Sequence, residues 1–238
     1  MGNSGLKQHY ETAKKTGVLK ISQKKLTEFP SSLKQLEPLL RTLDLSENRF
    51  TTLPNEIGSF KLLKHLNVNQ NRLNSLPESV GELGKLESLS VCENKIISLP
   101  QSLSNLSNLK QVYLSDNQIS EFPLMFCGLK HLDVLDISKN KLTEVPEGVS
   151  KLHVTELNIN QNQLSKLSES IADCPRLKTL RLEENCLQLS AIHPKILTDS
   201  KISVLALEGN LFDMKSFTEA EGYEKYMERY TAVKKKMF

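Results

Sequence analysis

Histidine, cysteine and paired acidic side chains are the groups in this chain that could carry out chemistry. The five histidines fall at unrelated points, at His9, His65, His131, His153 and His193. A zinc site needs three or four nitrogen, sulfur or oxygen ligands that converge on one point. None of the histidines lies in a close cluster with cysteines and carboxylates, so the sequence predicts no metal site and no cofactor.

Motifs of catalytic sites are also missing from the sequence. It contains no glycine-rich loop of the kind that cradles a phosphate, and no nucleophile elbow. The adjacent acids Glu183 and Glu184 fall at positions where solvated carboxylates are the ordinary explanation. We therefore predict no catalytic residue, no enzyme activity and no small-molecule substrate. The alternative, an enzyme that uses the acids of one face, requires a deep pocket with strongly coupled carboxylates.

Composition narrows the class of protein further. A net charge of +3 over 238 residues lacks the strong basic excess of a dedicated nucleic-acid binder, so we expect no nucleic-acid partner. The sequence shows no apolar run of the secretory type at its start and no stretch of membrane-spanning length. The cysteines are scattered, at Cys92, Cys127, Cys174 and Cys186. We expect all four to be reduced thiols in a cytosolic environment.

A regular internal repeat organises the elements that position these side chains. Each copy has the form of Leu40-x-x-Leu43-x-Leu45-x-x-Asn48. Matching asparagines follow at Asn71, Asn94, Asn117, Asn140, Asn162, Asn185 and Asn210, which gives steps of 23, 23, 23, 23, 22, 23 and 25 residues. A period in this range is typical of stacked units that bury one continuous core.

Each copy predicts one short strand followed by a turn. Because side chains alternate along a strand, Leu43 and Leu45 should point inward, while Asp44 and Ser46 should point outward. The asparagine that closes each copy should be buried and should bond main-chain groups that lose their ladder partners at the turn. We therefore interpret these asparagines as structural.

The second half of each copy predicts a short helical turn. A pair such as Leu53-Pro54 is followed by apolar residues at a spacing of three, and proline suits the first turn of a helix. Leu167-Ser168 lacks the proline, and Ala191 to Ser200 replaces the usual segment with a longer one. We expect regular coils through about residue 165 and some distortion beyond it.

The whole pattern resembles the leucine-rich repeat family. The fold class that it predicts is an α/β solenoid, curved, with parallel strands on the concave face and short helical or 3₁₀ turns on the convex face. We expect a single domain over residues 1–238. Residues 1–30 should form an N-terminal cap and a degenerate repeat, residues 31–212 the repeats, and residues 213–238 a C-terminal cap helix. That last helix, which is rich in tyrosine, either packs on the last coil or docks a partner.

The concave face is the predicted binding surface for an unidentified protein partner. Its candidate residues are the outward side chains at strand centres: Asn67, Ser90, Tyr113, Asp136, Asn158 and Arg181. Tyr113 is the aromatic residue of this set, and tyrosine is enriched among the residues that dominate interface energies.

The start of the chain predicts a lipid anchor. Met1-Gly2-Asn3-Ser4-Gly5 offers a glycine for N-myristoylation and small residues after it, although Leu6 stands where the usual motif has serine or threonine. A single myristoyl chain binds membranes only marginally. Lys7, Lys14 and Lys15 are therefore candidates for contact with anionic lipid.

The terminal segments resemble those of small, intracellular, repeat-only members of the leucine-rich repeat family. The residues that carry this likeness include Met1-Gly2-Asn3-Ser4, Glu208-Gly209-Asn210-Leu211-Phe212 and Glu221-Gly222-Tyr223. The resemblance implies myristoylation of Gly2, lipid anchoring on the cytoplasmic side of a membrane, and no enzyme activity. We expect a membrane-tethered interaction scaffold. The alternative is a soluble cytosolic adaptor or regulatory subunit in a phosphatase or small-GTPase pathway.

Overall fold

The computed structural model describes residues 4–235. The chain divides after Gln118 into two compact units, which are called the N-terminal unit and the C-terminal unit below. Each unit is built from successive coils, and each coil contains one copy of the repeat.

Parallel strands from successive coils form the sheet of the N-terminal unit. They are β1 (Val18–Lys20), β2 (Thr42–Asp44), β3 (His65–Asn67), β4 (Ser88–Ser90) and β5 (Gln111–Tyr113). The strands pair in register, so that Leu43 lies beside Leu66, and Leu66 lies beside Leu89. All three side chains are at most 1% exposed, which confirms the predicted inward positions.

Short 3₁₀ helices, called return turns here, form the opposite side of this unit. They span Ser31–Leu36, Asn55–Ser59, Glu78–Glu82 and Gln101–Asn105. A proline occupies the residue before each turn, and Pro54, for example, has φ −76° and ψ 159°. The predicted helical turns are therefore confirmed, with each proline one position ahead of the turn rather than inside it.

An amphipathic helix covers the first strand of the N-terminal unit. Helix α1 (Ser4–Thr16) packs against β1 and buries Tyr10 and Ala13. The Tyr10 hydroxyl accepts a hydrogen bond of 2.8 Å from Ser32 Oγ in the first return turn. This is the packing that an N-terminal cap requires, because the end of a stack of coils otherwise exposes apolar core.

The buried asparagines bond the main chain as the sequence predicts. Asn71 Nδ2 donates to the carbonyl oxygens of Leu45 and Val68, both at 3.0 Å, and Asn71 Oδ1 accepts from the Phe50 N–H at 3.1 Å. The residue before each asparagine has a left-handed backbone, with φ of 53° at Gln70. This turn carries the chain out of the strand and leaves main-chain groups for the asparagine to satisfy.

A lateral ion-pair network links three coils of the N-terminal unit. The Glu87 carboxylate lies 2.7 Å from Lys64 Nζ and 2.7 Å from Lys110 Nζ. Hydrogen bonds from Lys110 and Lys64 lower the pKa of Glu87 to about 2.

The C-terminal unit has the same plan with several departures. Its main strands are β6 (Val134–Asp136), β8 (Glu156–Asn158), β10 (Thr179–Arg181) and β11 (Val204–Ala206). A separate two-stranded parallel sheet pairs β7 (Glu144–Val145) with β9 (Lys166–Leu167). The return turns span Leu124–Gly128, Val149–Lys151, Glu169–Asp173 and Leu189–Ala191, and the helices are α2 (Pro194–Thr198), α3 (Met214–Thr218) and α4 (Tyr223–Lys234).

The return turn Glu169–Asp173, which follows Leu167-Ser168 in place of a leucine-proline pair, starts on a serine cap. Ser168 Oγ accepts a hydrogen bond of 3.1 Å from the Ser170 N–H at the start of the turn Glu169–Asp173. A serine hydroxyl in this position satisfies an N–H that would otherwise lack a partner. The loss of proline at this repeat therefore does not remove the return turn.

One coil of the C-terminal unit is a residue short, and an arginine from the next coil spans it. The apolar residues Leu152 and Val154 are two apart, where Leu129 and Leu132 are three apart. Arg176 reaches back by 43 residues to form an ion pair with Asp133, and it also donates to the Lys130 carbonyl oxygen at 3.3 Å. The ion pair thus ties coils on either side of the shortened one.

Helix α4 packs on α2 and is hydrogen-bonded to the last strand, β11. The buried Tyr226 hydroxyl accepts a hydrogen bond of 3.1 Å from the Leu205 N–H in β11. Arg229 donates to the carbonyl oxygens of Ile202 at 2.9 Å and Leu197 at 2.6 Å. These contacts favour the packing role for the C-terminal helix over the docking role.

Candidate functional site

The strand face of each unit is the set of outward side chains at the last residue of each strand, where the sequence predicts strand centres, and two residues beyond it. In the N-terminal unit its central row is Asp44, Asn67, Ser90 and Tyr113, and all four side chains are half-buried. In the C-terminal unit the central row is Asp136, Asn158, Arg181 and Ala206, also half-buried. The structure therefore places every predicted partner-binding residue on a strand face.

Most polar groups of the N-terminal strand face bond to their own neighbours. Asn67 Oδ1 accepts from the Asn69 N–H at 3.0 Å. Asn69 Oδ1 in turn accepts from the Cys92 N–H at 2.7 Å and from Ser90 Oγ at 2.8 Å. Each side-chain oxygen thus satisfies a main-chain N–H just beyond the strand, either in its own coil or in the next one.

Tyr113 lies where this network stops. Within residues 4–235, the Tyr113 hydroxyl has no hydrogen-bond partner, and neither has the Ser115 N–H. The reason is local. Cys92 stands one coil before Ser115, as Asn69 stands one coil before Cys92, and a thiol is a weak acceptor compared with an amide oxygen. Two donors and an aromatic ring are consequently available to a partner at this point of the strand face.

In the C-terminal unit, the predicted partner-binding residues Asp136 and Arg181 both have hydrogen-bond partners within the unit. Asp136 Oδ1 accepts from Ser138 N at 2.9 Å and from Ser138 Oγ at 2.7 Å. Arg181 Nε donates to Glu156 Oε1 at 3.0 Å, so this arginine already has an ion-pair partner on its own face. A partner that bound Arg181 or Asp136 would have to compete with these internal bonds.

Glu183 of the same face also has an internal partner. Its carboxylate accepts from Asn160 Nδ2 at 2.6 Å, and its N–H donates to Asn160 Oδ1 at 2.8 Å. The sequence did not reveal this reciprocal pair, since the two residues are 23 apart and come together only through the stacking of coils.

A cavity of about 660 Å³ lies in the N-terminal unit between the first two return turns, and Phe29, Pro54 and Phe60 are among its lining residues. This cavity is not lined by any of the predicted partner-binding residues. Across residues 4–235, no three His, Cys, Asp or Glu side chains are grouped so that they could hold a metal ion.

Two of the cysteines are buried in the C-terminal unit. Burial raises the pKa of the Cys127 thiol to about 11 and that of the Cys174 thiol to about 12. Both therefore stay protonated near neutral pH and are poor nucleophiles. Cys92 is half-buried and Cys186 is exposed.

The predicted anchor is only partly described. Gly2 lies outside the described residues. Lys7, Lys14 and Lys15 are exposed on α1, and Lys7 and Lys14 lie on one side of the helix because they are seven residues apart. Lys14 Nζ forms an ion pair of 2.9 Å with Glu11, so its charge is partly neutralised. Within residues 4–235 no helix combines the length and apolar character needed to cross a membrane.

Comparison with known families identifies the repeats. A model described as a leucine-rich repeat region matches residues 16–116. A second, described as leucine rich repeat, matches residues 130–187, and a third, described as leucine rich repeats in two copies, matches residues 107–152.

Solved structures with the same architecture include receptors and a bacterial protein. The TLR13–ssRNA13 complex aligns with a TM-score of 0.73 and 25% identity, over 84% of this chain and 30% of that one. The functional domain of InlJ from Listeria monocytogenes aligns with a TM-score of 0.62 and 25% identity, over 80% of this chain and 39% of that one. The plant peptide hormone receptor RGFR1 in complex with RGF2 aligns with a TM-score of 0.67 and 24% identity, over 81% of this chain and 32% of that one. The chain thus spans between about a third and two fifths of these relatives, and the predicted fold class is confirmed.

Proposed function

Because the chain is a leucine-rich repeat protein, we propose that it is a non-enzymatic scaffold that binds a protein partner on its strand face, centred on Tyr113. The observation that carries this proposal is the break in the internal hydrogen-bond network. Beyond β2, β3 and β4, the oxygens of Asp44, Asn67 and Asn69 accept hydrogen bonds from the N–H groups that follow the strands. At Tyr113 and Ser115, an aromatic ring, a hydroxyl and an N–H remain available.

The partner class follows from charge and surface chemistry. The TLR13 complex contains single-stranded RNA, so this architecture alone does not select protein partners. The net charge of +3 is far from the basic excess that neutralises a phosphate backbone. Tyrosine with adjacent small polar groups is instead typical of protein interfaces, where one aromatic anchor often dominates the binding energy.

Affinity purification from eukaryotic cells tests this site. Wild type, Tyr113→Ala and Gln111→Ala would be compared, since Gln111 is an exposed residue of the same strand and serves as the matched control. We expect a partner recovered with wild type and Gln111→Ala to be lost with Tyr113→Ala, and its purified form to bind Tyr113→Ala more weakly by more than about 1 kcal/mol. Melting temperatures should agree among the three. A partner set that is unchanged by Tyr113→Ala would contradict the proposed site.

We also propose that a myristoyl group on Gly2 tethers this scaffold to the cytoplasmic side of a membrane. The small residues Asn3 and Ser4 after Gly2 support this, as does the likeness of both terminal segments to leucine-rich repeat-containing protein 57. Intact mass of protein from eukaryotic cells should show the gain of one myristoyl group after loss of Met1, and Gly2→Ala should abolish it. An unmodified Gly2 would overturn the tether and favour the soluble cytosolic adaptor.

The lysines of α1 are expected to strengthen the tether, because one acyl chain alone binds only marginally. Changing Lys7, Lys14 and Lys15 to glutamine should release myristoylated protein from vesicles that contain phosphatidylserine, and added salt should act in the same direction. The control is a triple glutamine variant at the exposed lysines Lys95, Lys139 and Lys215. Equal release by both variants would remove the α1 lysines from the mechanism and leave the acyl anchor.

A further inference from the structure

The small sheet of the C-terminal unit has an open edge beside a groove. Strand β9 pairs with β7 on one side, with Glu144 beside Lys166 and Val145 beside Leu167, and that sheet contains no further strand among the described residues. Along β9 lies a groove of about 460 Å³, lined among others by Lys166, Leu167, Ala191 and Leu211.

The groove exists because the following coil departs from the repeat. Two successive coils place the extended segments β7 and β9 side by side, and a third would be expected to add another strand next to Leu167. The next coil forms the return turn Leu189–Ala191 there and continues into α2. Among the described residues, the next coil bonds the main chain at Leu164 but makes no main-chain hydrogen bond to Lys166 or Leu167.

An exposed leucine forms part of the groove wall. Leu211 is 65% exposed, the largest exposure among the large apolar side chains of the described residues, although its N–H is held by the Leu187 carbonyl oxygen at 2.9 Å. Its backbone is thus fixed while its side chain faces solvent. Burial of such a side chain by a ligand would be favourable, since apolar area is removed from water.

The positive charge of the groove indicates that its ligand carries a negative charge. Lys166 is the charged residue of its lining, and no ion pair engages it within residues 4–235. On the opposite side of β9, the residue in register with Lys166 is the acidic Glu144. Opposite charges on neighbouring strands stabilise strand pairing, whereas like charges oppose it.

We propose that the open edge of β9 binds an extended peptide segment of a partner protein by strand addition. The peptide main chain continues the β7–β9 sheet, an acidic side chain of the peptide lies beside Lys166, and an apolar side chain covers Leu211. Unpaired strand edges are established templates for this mode of recognition, in which main-chain bonds supply affinity and side-chain pockets supply specificity. The site uses no residue of the strand face and does not depend on Tyr113.

The first experiment uses the partner strand that the chain itself provides. A capped synthetic peptide with the sequence of residues 141–145, Lys-Leu-Thr-Glu-Val, would be titrated into ¹⁵N-labelled protein of residues 1–238. We expect saturable shifts of the Lys166, Leu167 and Ala191 amides, and slower alkylation of Cys186, an exposed thiol that also lines the groove. A titration to millimolar peptide without such shifts would overturn the proposal.

Charge reversal on both partners tests the register. Lys166→Glu should weaken the peptide roughly two- to fivefold, as expected for an exposed ion pair, and a peptide with lysine in place of its glutamate should recover that loss on the variant. Loss of affinity for both peptides, or for neither, would overturn the pairing of the acidic residue with Lys166.

Removal of the apolar wall tests the groove itself. Leu211→Asp should abolish saturable binding, while Ile97→Asp, at a leucine-sized side chain that is 58% exposed in the N-terminal unit, should leave it unchanged. The folded state of each variant is checked by its amide spectrum. If wild type is a dimer in solution and Leu211→Asp is a monomer, the occupant is a second copy of this chain and the peptide proposal is wrong.

Discussion

Replacement of Asn71 by alanine measures how much one buried asparagine contributes to the N-terminal unit. The residue makes its bonds through both ends of the amide: Nδ2 donates to the Leu45, Val68 and Asn69 carbonyl oxygens, and Oδ1 accepts from the Phe50 N–H. Alanine removes all of these bonds at once in a side chain that is 9% exposed.

The stacked geometry limits the damage to one orphaned group. The Leu45 oxygen still accepts from Asn48 Nδ2 at 2.9 Å, and the Val68 oxygen still accepts from Asn94 Nδ2 at 3.0 Å. In Asn71→Ala, by contrast, the Phe50 N–H loses its hydrogen-bond acceptor, Asn71 Oδ1. One buried, unsatisfied donor costs about 1–3 kcal/mol, and we expect Asn71→Ala to lower the free energy of unfolding by that amount.

Aspartate at the same position separates the donor from the acceptor. Asn71→Asp keeps an oxygen for the Phe50 N–H but turns a second oxygen toward the Leu45 and Val68 carbonyls, and it buries a charge. We expect it to destabilise more than Asn71→Ala at pH 7. The difference should shrink as the pH falls and the carboxylate is protonated, because the burial of an ionised carboxylate is unfavourable.

Urea denaturation followed by circular dichroism is the assay, because the chain has no tryptophan. The matched control is Asn74→Ala, an exposed asparagine of the same coil. We expect this control to be within about 0.5 kcal/mol of wild type, as for surface substitutions in general. Equal effects of the Asn71 and Asn74 variants would refute the assignment of stability to the buried amide.

Other perturbations test the core, the ion pairs and the thiols. Leu135→Ala, at a fully buried strand position, should lower the free energy of unfolding by about 2–5 kcal/mol, while Thr179→Ala on the outward side should be nearly neutral; the reverse order in urea denaturation would mean that the faces are inverted. Glu87 should titrate near pH 2 by NMR, and Lys64→Gln should raise the pKa of Glu87. Since the pKa of Glu87 is lower in the folded than in the unfolded chain, this carboxylate stabilises the fold above about pH 4.5, and the stabilisation is lost as the pH falls toward 2. Iodoacetamide at pH 8 should modify Cys186 much faster than Cys127 or Cys174, as read by peptide mass spectrometry, and rapid labelling of Cys174 in folded protein would contradict its burial.

The repeat period predicts most of the backbone because each copy constrains itself. Alternating leucines determine the inward side of every strand, and the asparagine that closes a copy determines where the chain leaves the sheet. The helix that contains Tyr10 and Ala13 was also predictable, since its apolar residues keep helical spacing. These features depend on residues within one copy or at one fixed offset.

The sequence predicted distortion beyond about residue 165, but not the particular structures that departures from the period produce. The pairing of β7 with β9 requires two neighbouring coils to stay extended at Glu144 and Lys166, and nothing in either segment alone distinguishes it from the other coils. The return to a normal turn at Ser168 depends on one hydroxyl. The available N–H of Ser115 follows from a cysteine one coil earlier, which is a relation between positions 23 residues apart.

The tie between Arg176 and Asp133 limits how this stack of repeats could change by recombination. Repeat arrays commonly gain and lose whole copies, because each copy contacts only its neighbours. Here the Arg176 guanidinium spans a coil whose return segment is one residue short. That coil and its two neighbours therefore have to be gained or lost together if the ion pair with Asp133 is to be kept. Exchange of the short coil for a full-length one would lengthen the segment that Arg176 spans, and duplication of the short coil would place a second coil between Arg176 and Asp133. The boundary for swapping modules in this unit therefore falls outside residues 130–176 rather than between its individual repeats.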